Sequence, residues 1–339
     1  MWKYCLILFG LFCSLLSAPA PTIADDADLS RLVPDIIHQH VMPGYQRLAA
    51  DSAALSSVIK ANCPDNLPAI KEAYNKAFDA WMLVSHLRFG PSEQNDRAFA
   101  LAFWPDTRGF TPKTLASLLR ANDPVIHDGQ KFKAVSIAAR GFYPMEFLLY
   151  DKQFTNRPDP NLCALMDVMA TDIADNGAAI LKDWQDGYAE LMIKADNDIY
   201  RGPDEAVRQL YTALTTGLQF TAQTRLGRPM GSFVKPRPSR AEARRSGRSL
   251  RHVQLSLAAN RQLASLLSGG DEDIDMGFER AIRIAEDLDD PAFAAVGTVQ
   301  GRIRAEALQG AITFTNDLLA EYLAPRLGIS AGFNALDGD

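Results

Sequence analysis

The sequence predicts an all-α protein built from two packed helical bundles. Apolar residues recur every three or four positions over most of the chain, which is the spacing of one buried helix face. Patterns that alternate apolar and polar residues, as strands do, are nearly absent. Clusters of Gly, Pro and Asp interrupt the periodic stretches and predict the loops between helices.

The first half of the chain contains two strongly periodic stretches. Residues 67–87 place apolar side chains on one helix face, and residues 162–191 do the same over a longer distance. Clusters that contain Gly, Pro or Asp interrupt the helical pattern and predict loops at 89–91, 104–106, 157–160 and 201–203.

The second half contains three periodic stretches, at 207–218, 250–267 and 303–322. Asp204 follows a Gly-Pro pair, and its charge favours a helix N-terminus there. We place the domain boundary near 198–203. This predicts one bundle at 25–200, a second at 201–327 and a tail at 328–339.

Residues 1–24 have the features of a secretory signal peptide. Lys3 supplies the charged start, residues 4–16 form a short apolar run, and small residues at 18–20 or 22–24 offer a cleavage site. The run is shorter than the ~20 apolar residues that span a bilayer. We therefore expect a periplasmic protein with no transmembrane segment after cleavage, although an uncleaved anchor is the alternative.

Export changes how the cysteines are interpreted. Cys5 and Cys13 leave with the signal peptide, so the exported chain keeps Cys63 and Cys163. Two cysteines in an oxidising compartment most simply form one disulfide, with free thiols or a catalytic role as the alternatives.

The charge balance argues against nucleic acid as a partner. The net charge of the chain is −6, and the loss of Lys3 makes it −7. An acidic protein lacks the electrostatic attraction to phosphates on which nucleic-acid binding depends.

The stretch 140–150 contains the first candidate site. Pro144 predicts a helix that starts at about Tyr143 or Pro144, because proline is favoured in a first turn. Tyr143 and Glu146 then lie on one face, and Arg140 can join them at a cleft. In the alternative interpretation, Glu146 is an exposed carboxylate that is stabilised by the helix dipole.

The loop at 104–106 contains the second candidate site. Trp104 and Asp106 could line the same cleft, since aromatic and charged loop residues often serve binding. Alternatively, Trp104 closes the end of a bundle and Asp106 caps the next turn.

A basic run at 225–251 contains nine Lys and Arg residues and only one acid, Glu242. Its prolines predict a long loop, and Ser239 with Glu242 fits a helix capping box. The run suggests an anion site, and Arg245 and Ser249 could point into the cleft. The alternative is a solvated loop whose arginines pair with acids elsewhere.

Metal motifs are weak. The five histidines do not form a His-x-x-x-His or His-Glu-x-x-His pattern, which argues against a zinc protease. Glu146 remains a candidate metal ligand. Motifs for a nucleophile, a P-loop or a dinucleotide are also missing from the sequence.

Several segments together resemble the imelysin family, whose signature is Gly-x-His-x-x-Glu. Gly141 and Glu146 match its glycine and glutamate, while Tyr143 stands where the histidine would be. The resemblance covers about 37–323 and includes four further segments, at 40–63, 81–91, 103–106 and 241–250.

The resemblance implies a two-bundle fold and three candidate functions. The first is a periplasmic binding protein linked to iron uptake or homeostasis, with an unidentified ligand in a cleft between the bundles and iron as the candidate cofactor. The second is the metal-dependent peptidase for which the family was named. The third is an envelope scaffold that binds a partner protein through its basic loop. Because Tyr143 replaces the histidine, the binding protein is favoured over the peptidase.

Overall fold

The computed structural model describes residues 26–156 and 160–329, and this part of the chain contains helices without a β-strand. The prediction of an all-α fold is therefore confirmed. The predicted leader at 1–24 lies outside the described residues, as does most of the predicted tail. None of the described helices is both long enough and apolar enough to cross a bilayer.

In the first half, two pairs of consecutive helices are each joined by a π-helical turn. Helix α1 passes through a π-helical turn at Ile37–Val41 into α2, and α9 passes through a second one at Trp184–Tyr188 into α10. The predicted stretch 67–87 corresponds to α3, and the stretch 162–191 runs along α9 and α10. The helices are α1 (Asp26–Ile36), α2 (Met42–Asn62), α3 (Leu67–Val84), α4 (Arg97–Leu101), α5 (Phe110–Ala121), α6 (Gly129–Phe132), α7 (Phe142–Tyr150), α8 (Lys152–Thr155), α9 (Leu162–Asp183) and α10 (Ala189–Lys194).

The second half is equally helical. Asp204 lies in the first turn of α11, as predicted. The helices are α11 (Pro203–Phe220), α12 (Gly227–Met230), α13 (Ser249–Ser268), α14 (Glu272–Asp287), α15 (Val299–Leu318) and α16 (Ala324–Arg326). Two more π-helical turns lie at Thr221–Leu226 and Leu319–Leu323, and 3₁₀ turns lie at Gly90–Ser92, Gln94–Asp96, Pro124–His127, Ile137–Ala139, Pro238–Arg240 and Ala294–Gly297.

The basic run differs from its prediction in two respects. It begins as helix rather than loop, because Arg225 lies in the π-helical turn after α11 and Arg228 lies in α12. The capping box predicted at Ser239 is also wrong. Residues 242–247 form turns, and α13 begins only at Ser249.

The long helices pack around one continuous apolar core. Helix α2 packs against α3 and α9, and α13 packs against α14, α11 and α3. Helix α1 packs against α11 and α13, so the start of the chain contacts the second half. Buried apolar side chains from Leu29 to Ile329 form a single cluster. The division at 198–203 stays a prediction.

A disulfide joins Cys63 to Cys163, which confirms the predicted pairing. Cys63 directly follows α2, and Cys163 lies in the first turn of α9. The bond therefore fastens two helices that also pack along their lengths.

Two buried histidines connect the halves. Nε2 of His40 lies 2.9 Å from Nε2 of His86, and Nδ1 of His40 lies 2.9 Å from Oε1 of Gln262 in α13. The short Nε2–Nε2 contact requires that one imidazole donates and the other accepts. Burial lowers the pKa of both histidines, and the neighbouring Arg225 charge further lowers that of His86.

This pair predicts a loss of stability in mild acid. Because both pKa values are lowered in the folded protein, the unfolded chain binds more protons once the pH falls below the ordinary value of 6.5. The free energy of unfolding should then decrease by up to about 1.4 kcal/mol per pH unit for each histidine. Urea titrations between about pH 7 and pH 5 measure this slope.

The double variant His40→Gln/His86→Gln should lose most of this pH dependence, whereas His38→Gln, at an exposed position, should keep it. Equal slopes in the double variant and the wild type would contradict the assignment.

Candidate functional site

Gly141 fixes the start of α7. Its φ is +85°, and a Cβ atom there would lie only 2.2 Å from the carbonyl oxygen of Leu101. Only glycine fits this position, because both the dihedral and the close backbone approach exclude a side chain. The chain then enters α7 at Phe142, one residue before the predicted start.

Tyr143 contacts the second half of the chain. Its hydroxyl donates a short hydrogen bond to Oε1 of Glu242. Burial and the charge of Glu242 raise the pKa of Tyr143 well above its usual value, so the phenol stays protonated. The hydroxyl of Tyr143 is therefore bound to Glu242 rather than to Glu146, which lies on the same helix face.

Glu242 is the centre of a buried ionic network. Nε of Arg225 donates to its Oε2 at 2.9 Å, and Nδ1 of His252 lies 3.2 Å from the same oxygen, outside hydrogen-bonding geometry. Burial raises the pKa of Glu242, but Arg225, His252 and Tyr143 outweigh burial and lower the pKa to about 2. The carboxylate is therefore charged at neutral pH.

Glu146 lies one turn further along α7 in a different environment. Its Oε1 accepts hydrogen bonds from the backbone N–H and the hydroxyl of Ser246, both at 2.8 Å. Only 2% of the residue is exposed, which excludes the interpretation as an exposed helix-start carboxylate. Burial raises the pKa of Glu146, although Ser246 and Arg245 partly oppose this.

A pocket of about 470 Å³ lies beside these residues, and it is lined by Phe147 and Ala241, the chain neighbours of Glu146 and Glu242. Its volume is within the range of small-molecule sites. The loop after α4 forms one wall and the basic run forms the other, so the pocket lies between the two halves of the sequence. The lining residues are Trp104, Pro105, Asp106, Thr107, Gly109, Pro112, Phe147, Arg228, Ser239, Arg240, Ala241 and Arg245.

Three of the predicted site residues line this pocket. Trp104 contributes an aromatic surface and lies 6.1 Å from Tyr143 between ring centroids. Asp106 accepts hydrogen bonds from the backbone N–H groups of Thr111, at 2.7 Å, and Arg108. Asp106 therefore caps the turn before α5 and also lines the pocket, while its role in binding stays a prediction.

Arg245 connects the pocket to Glu146. Its Nε donates to Asp151 at 2.5 Å, Nη1 lies 3.9 Å from Oε2 of Glu146, and the guanidinium lies 3.5 Å from the ring centroid of Phe147. These contacts hold the side chain in one orientation at the pocket wall.

Arg228 and Arg240 differ from Arg245, because neither forms an ion pair with any residue of the described segments. Nε of Arg228 is buried without a hydrogen-bond partner, and its guanidinium lies 5.7 Å from the ring centroid of Trp104. Burial and repulsion from Arg240 lower the pKa of Arg228. Three arginines therefore line the pocket together with one carboxylate, that of Asp106, so positive charge is in excess there.

The remaining predicted residues lie behind the pocket or away from it. Arg140 forms a two-bond ion pair with Asp172, at 2.8 and 2.9 Å. Ser249 is buried and donates to the backbone carbonyl of Glu242. Both stabilise elements that carry the site, without lining the pocket.

A metal ion does not fit beside Glu146 of the motif or beside Glu242. The carboxylate oxygens of Glu242 already face Tyr143 and Arg225, and those of Glu146 face Ser246 and Arg245. Within 26–156 and 160–329, no group of three or more His, Cys, Asp or Glu side chains could hold a metal ion.

The sequence prediction included Arg225, Arg228 and Arg240 only as members of the basic run with its possible anion site, and it did not include His252. One signal was present, since Glu242 is the only acid within the basic run and is a natural partner for its arginines.

Comparisons with known proteins agree on one family. The family model for imelysin matches residues 41–319. Iron-regulated protein A of Synechococcus elongatus is 22% identical over 213 residues, which are 59% of this chain and 55% of that protein. The match thus spans about half the length of this relative.

Two crystal structures have the same fold. An imelysin-like protein from Psychrobacter arcticum 273-4 superposes with a TM-score of 0.78 at 18% identity, covering 93% of this chain and 100% of the other. An iron-regulated protein A precursor from Parabacteroides distasonis ATCC 8503 gives a TM-score of 0.72 at 13% identity, covering 88% and 95%. With the family model matching most of its length, the chain belongs to the imelysin family.

Proposed function

We propose that the protein is an exported, iron-linked binding protein whose pocket takes a small anionic ligand. The observation that carries this proposal is the presence of Arg228 and Arg240 in one pocket without a carboxylate partner. Arg240 is exposed, whereas Arg228 is half-buried and its Nε atom is buried without a hydrogen-bond partner. Leaving a buried polar atom without a partner is unfavourable, and an anion that binds the guanidinium of Arg228 would relieve this cost.

The shape of the pocket supports a small organic anion. Trp104 offers a flat apolar surface beside the cations, and Arg245, which is paired with Asp151 and Glu146, adds a third guanidinium to the wall. A carboxylate or phosphate can bind two parallel N–H groups of an arginine, which favours planar anions.

A larger cavity of about 840 Å³ is a weaker candidate for an anion. It lies beside α13 and α14, where Arg261 is already paired with Asp275 and Glu279, at 2.6 and 3.0 Å. That cavity therefore offers no unpaired guanidinium.

The link to iron is supported by the names of two relatives, both iron-regulated protein A. Iron(III) complexes with hydroxycarboxylates carry negative charge, so one pocket could recognise the chelate through its carboxylates. This mode of recognition would not require protein side chains to coordinate iron.

Calorimetric titration with citrate and with inorganic phosphate tests the anion site. We expect citrate to bind at one site, and Arg240→Gln to weaken the affinity about tenfold or more, because a charge-assisted hydrogen bond contributes about 1.5–3 kcal/mol. The control Arg261→Gln changes the arginine of the larger cavity and should leave citrate binding unchanged. Equal losses in both variants, or no binding of either anion, would contradict the proposal.

A further inference from the structure

A tight turn in the basic run presents two apolar side chains to solvent. Phe233 is 72% exposed and Val234 is 90% exposed. These are the highest values among the large hydrophobic side chains of the described segments. Scattered surface apolar residues are ordinary, but two adjacent ones at the end of a turn are not explained by folding.

Helix α15 adds two more exposed apolar residues to this region. Val299 is 67% exposed and Ile303 is 59% exposed. Between them, Nη1 of Arg302 donates to the carbonyls of Met230 and Ser232, at 2.7 and 3.0 Å. Because positions 299, 302 and 303 share one helix face, the turn and the helix present a common surface.

We call this surface the tip patch, and we define it as Phe233, Val234, Val299 and Ile303. Two backbone hydrogen bonds fix the conformation of the turn that carries Phe233 and Val234. Lys235 N–H donates to the Ser232 carbonyl at 3.0 Å, and Arg237 N–H donates to the Pro229 carbonyl at 2.8 Å. The apolar tip is therefore a fixed feature rather than a frayed loop.

The charges beside the tip patch are positive. Lys235 and Arg237 flank the tip, and neither forms an ion pair within the described segments. Arg302 is neutralised by Glu306 at 2.7 Å. A partner surface should therefore combine negative charge with an apolar layer that the tip can enter.

We propose that the tip patch docks the protein on an anionic lipid surface, with Phe233 and Val234 entering the region between headgroups and acyl chains. An anionic leaflet offers both the charge and the apolar layer. The tip patch consists of four apolar side chains, which is too few for a specific protein interface of roughly 1,000 Å² of complementary surface.

The same segment would serve two surfaces. Between 227 and 241 it supplies Arg228, Ser239 and Arg240 to the pocket and Phe233 and Val234 to the tip patch. Docking is nevertheless independent of the ligand, because the tip residues do not line the pocket.

Flotation of the purified protein with vesicles tests this proposal. We expect binding to vesicles of phosphatidylethanolamine and phosphatidylglycerol, and much less to neutral phosphatidylcholine. The double variant Phe233→Ser/Val234→Ser should weaken binding at least about tenfold, because the burial of two apolar side chains is lost. Lys235→Gln should weaken it about fivefold. The control Ile199→Ser changes an exposed apolar residue elsewhere and should bind as wild type does.

Three results would overturn the proposal. One is a wild-type protein that does not bind anionic vesicles at low salt. Another is a double variant that binds as tightly as wild type. The third is a wild-type dimer, found by light scattering, that dissociates in the double variant without any vesicle binding, because the tip patch would then be a protein interface. Phe233 and Val234 form the turn and Lys235 closes it, so circular dichroism should confirm that each variant is folded.

Discussion

Replacing Arg225 by methionine is expected to lower the free energy of unfolding by about 3–5 kcal/mol. Both Arg225 and Glu242 are almost fully buried, so the variant leaves a charged carboxylate in the core without its main partner. The remaining contacts from Tyr143 and His252 cannot replace the guanidinium. Urea unfolding followed by circular dichroism measures the loss.

The double variant Arg225→Met/Glu242→Gln distinguishes the contribution of the ion pair to stability from that of side-chain packing. With both charges removed, most of the lost stability should return, because neither group is then left buried and unpaired. The exposed pair of Arg47 and Asp51 provides a control, and Arg47→Met should cost less than about 1 kcal/mol. A double variant that loses the sum of both single losses would contradict this account.

The same pair contributes a second acid-sensitive step. Since the pKa of Glu242 is about 2 in the folded protein and 4.5 ordinarily, its stabilisation is present above pH 4.5 and is lost as the pH falls towards 2. This window lies below that of His40 and His86, so the two contributions are separable in one pH series.

Loss of the disulfide should have an effect of similar size. Cys63 and Cys163 are separated by 100 residues, for which the chain-entropy model gives about 4–5 kcal/mol of stabilisation. The double variant Cys63→Ser/Cys163→Ser should unfold at a correspondingly lower urea concentration, because its unfolded chain is less constrained. Helices α2 and α9 still pack together, so the variant should retain its helical spectrum.

Reductant provides the matched comparison. Dithiothreitol should shift the unfolding midpoint of the wild type towards that of the double variant and leave the double variant unchanged. A wild-type midpoint that does not move when the bond is reduced would show that the disulfide does not stabilise the fold.

Local patterns predicted the helices well, because each long helix buries one face. The stretches at 67–87 and 250–267 correspond to α3 and α13, most of whose apolar residues lie in the core. Local patterns failed where a side chain binds residues that are distant in the sequence. Ser239 and Glu242 have the spacing of a capping box, but the carboxylate of Glu242 is bound by Tyr143 and Arg225.

The candidate site was only partly predictable for the same reason. Trp104, Asp106 and Arg245 were expected at a cleft, and they do line one pocket. The partner of Tyr143 lies 99 positions away in the sequence, at Glu242, and periodicity cannot reveal such a contact. Likewise, Glu146 was expected to bind a ligand or a metal ion, whereas its Oε1 atom accepts two hydrogen bonds from Ser246.

Calorimetric titration with ferric citrate, beside free Fe²⁺ and Zn²⁺, tests the central claim most directly. Binding of the chelate that weakens in Arg228→Gln and Arg240→Gln, without stoichiometric binding of the free metals, is the result we predict. Stoichiometric binding of a free metal that Glu146→Gln abolishes, with no binding of the chelate, would contradict the account and restore a metal site at the motif.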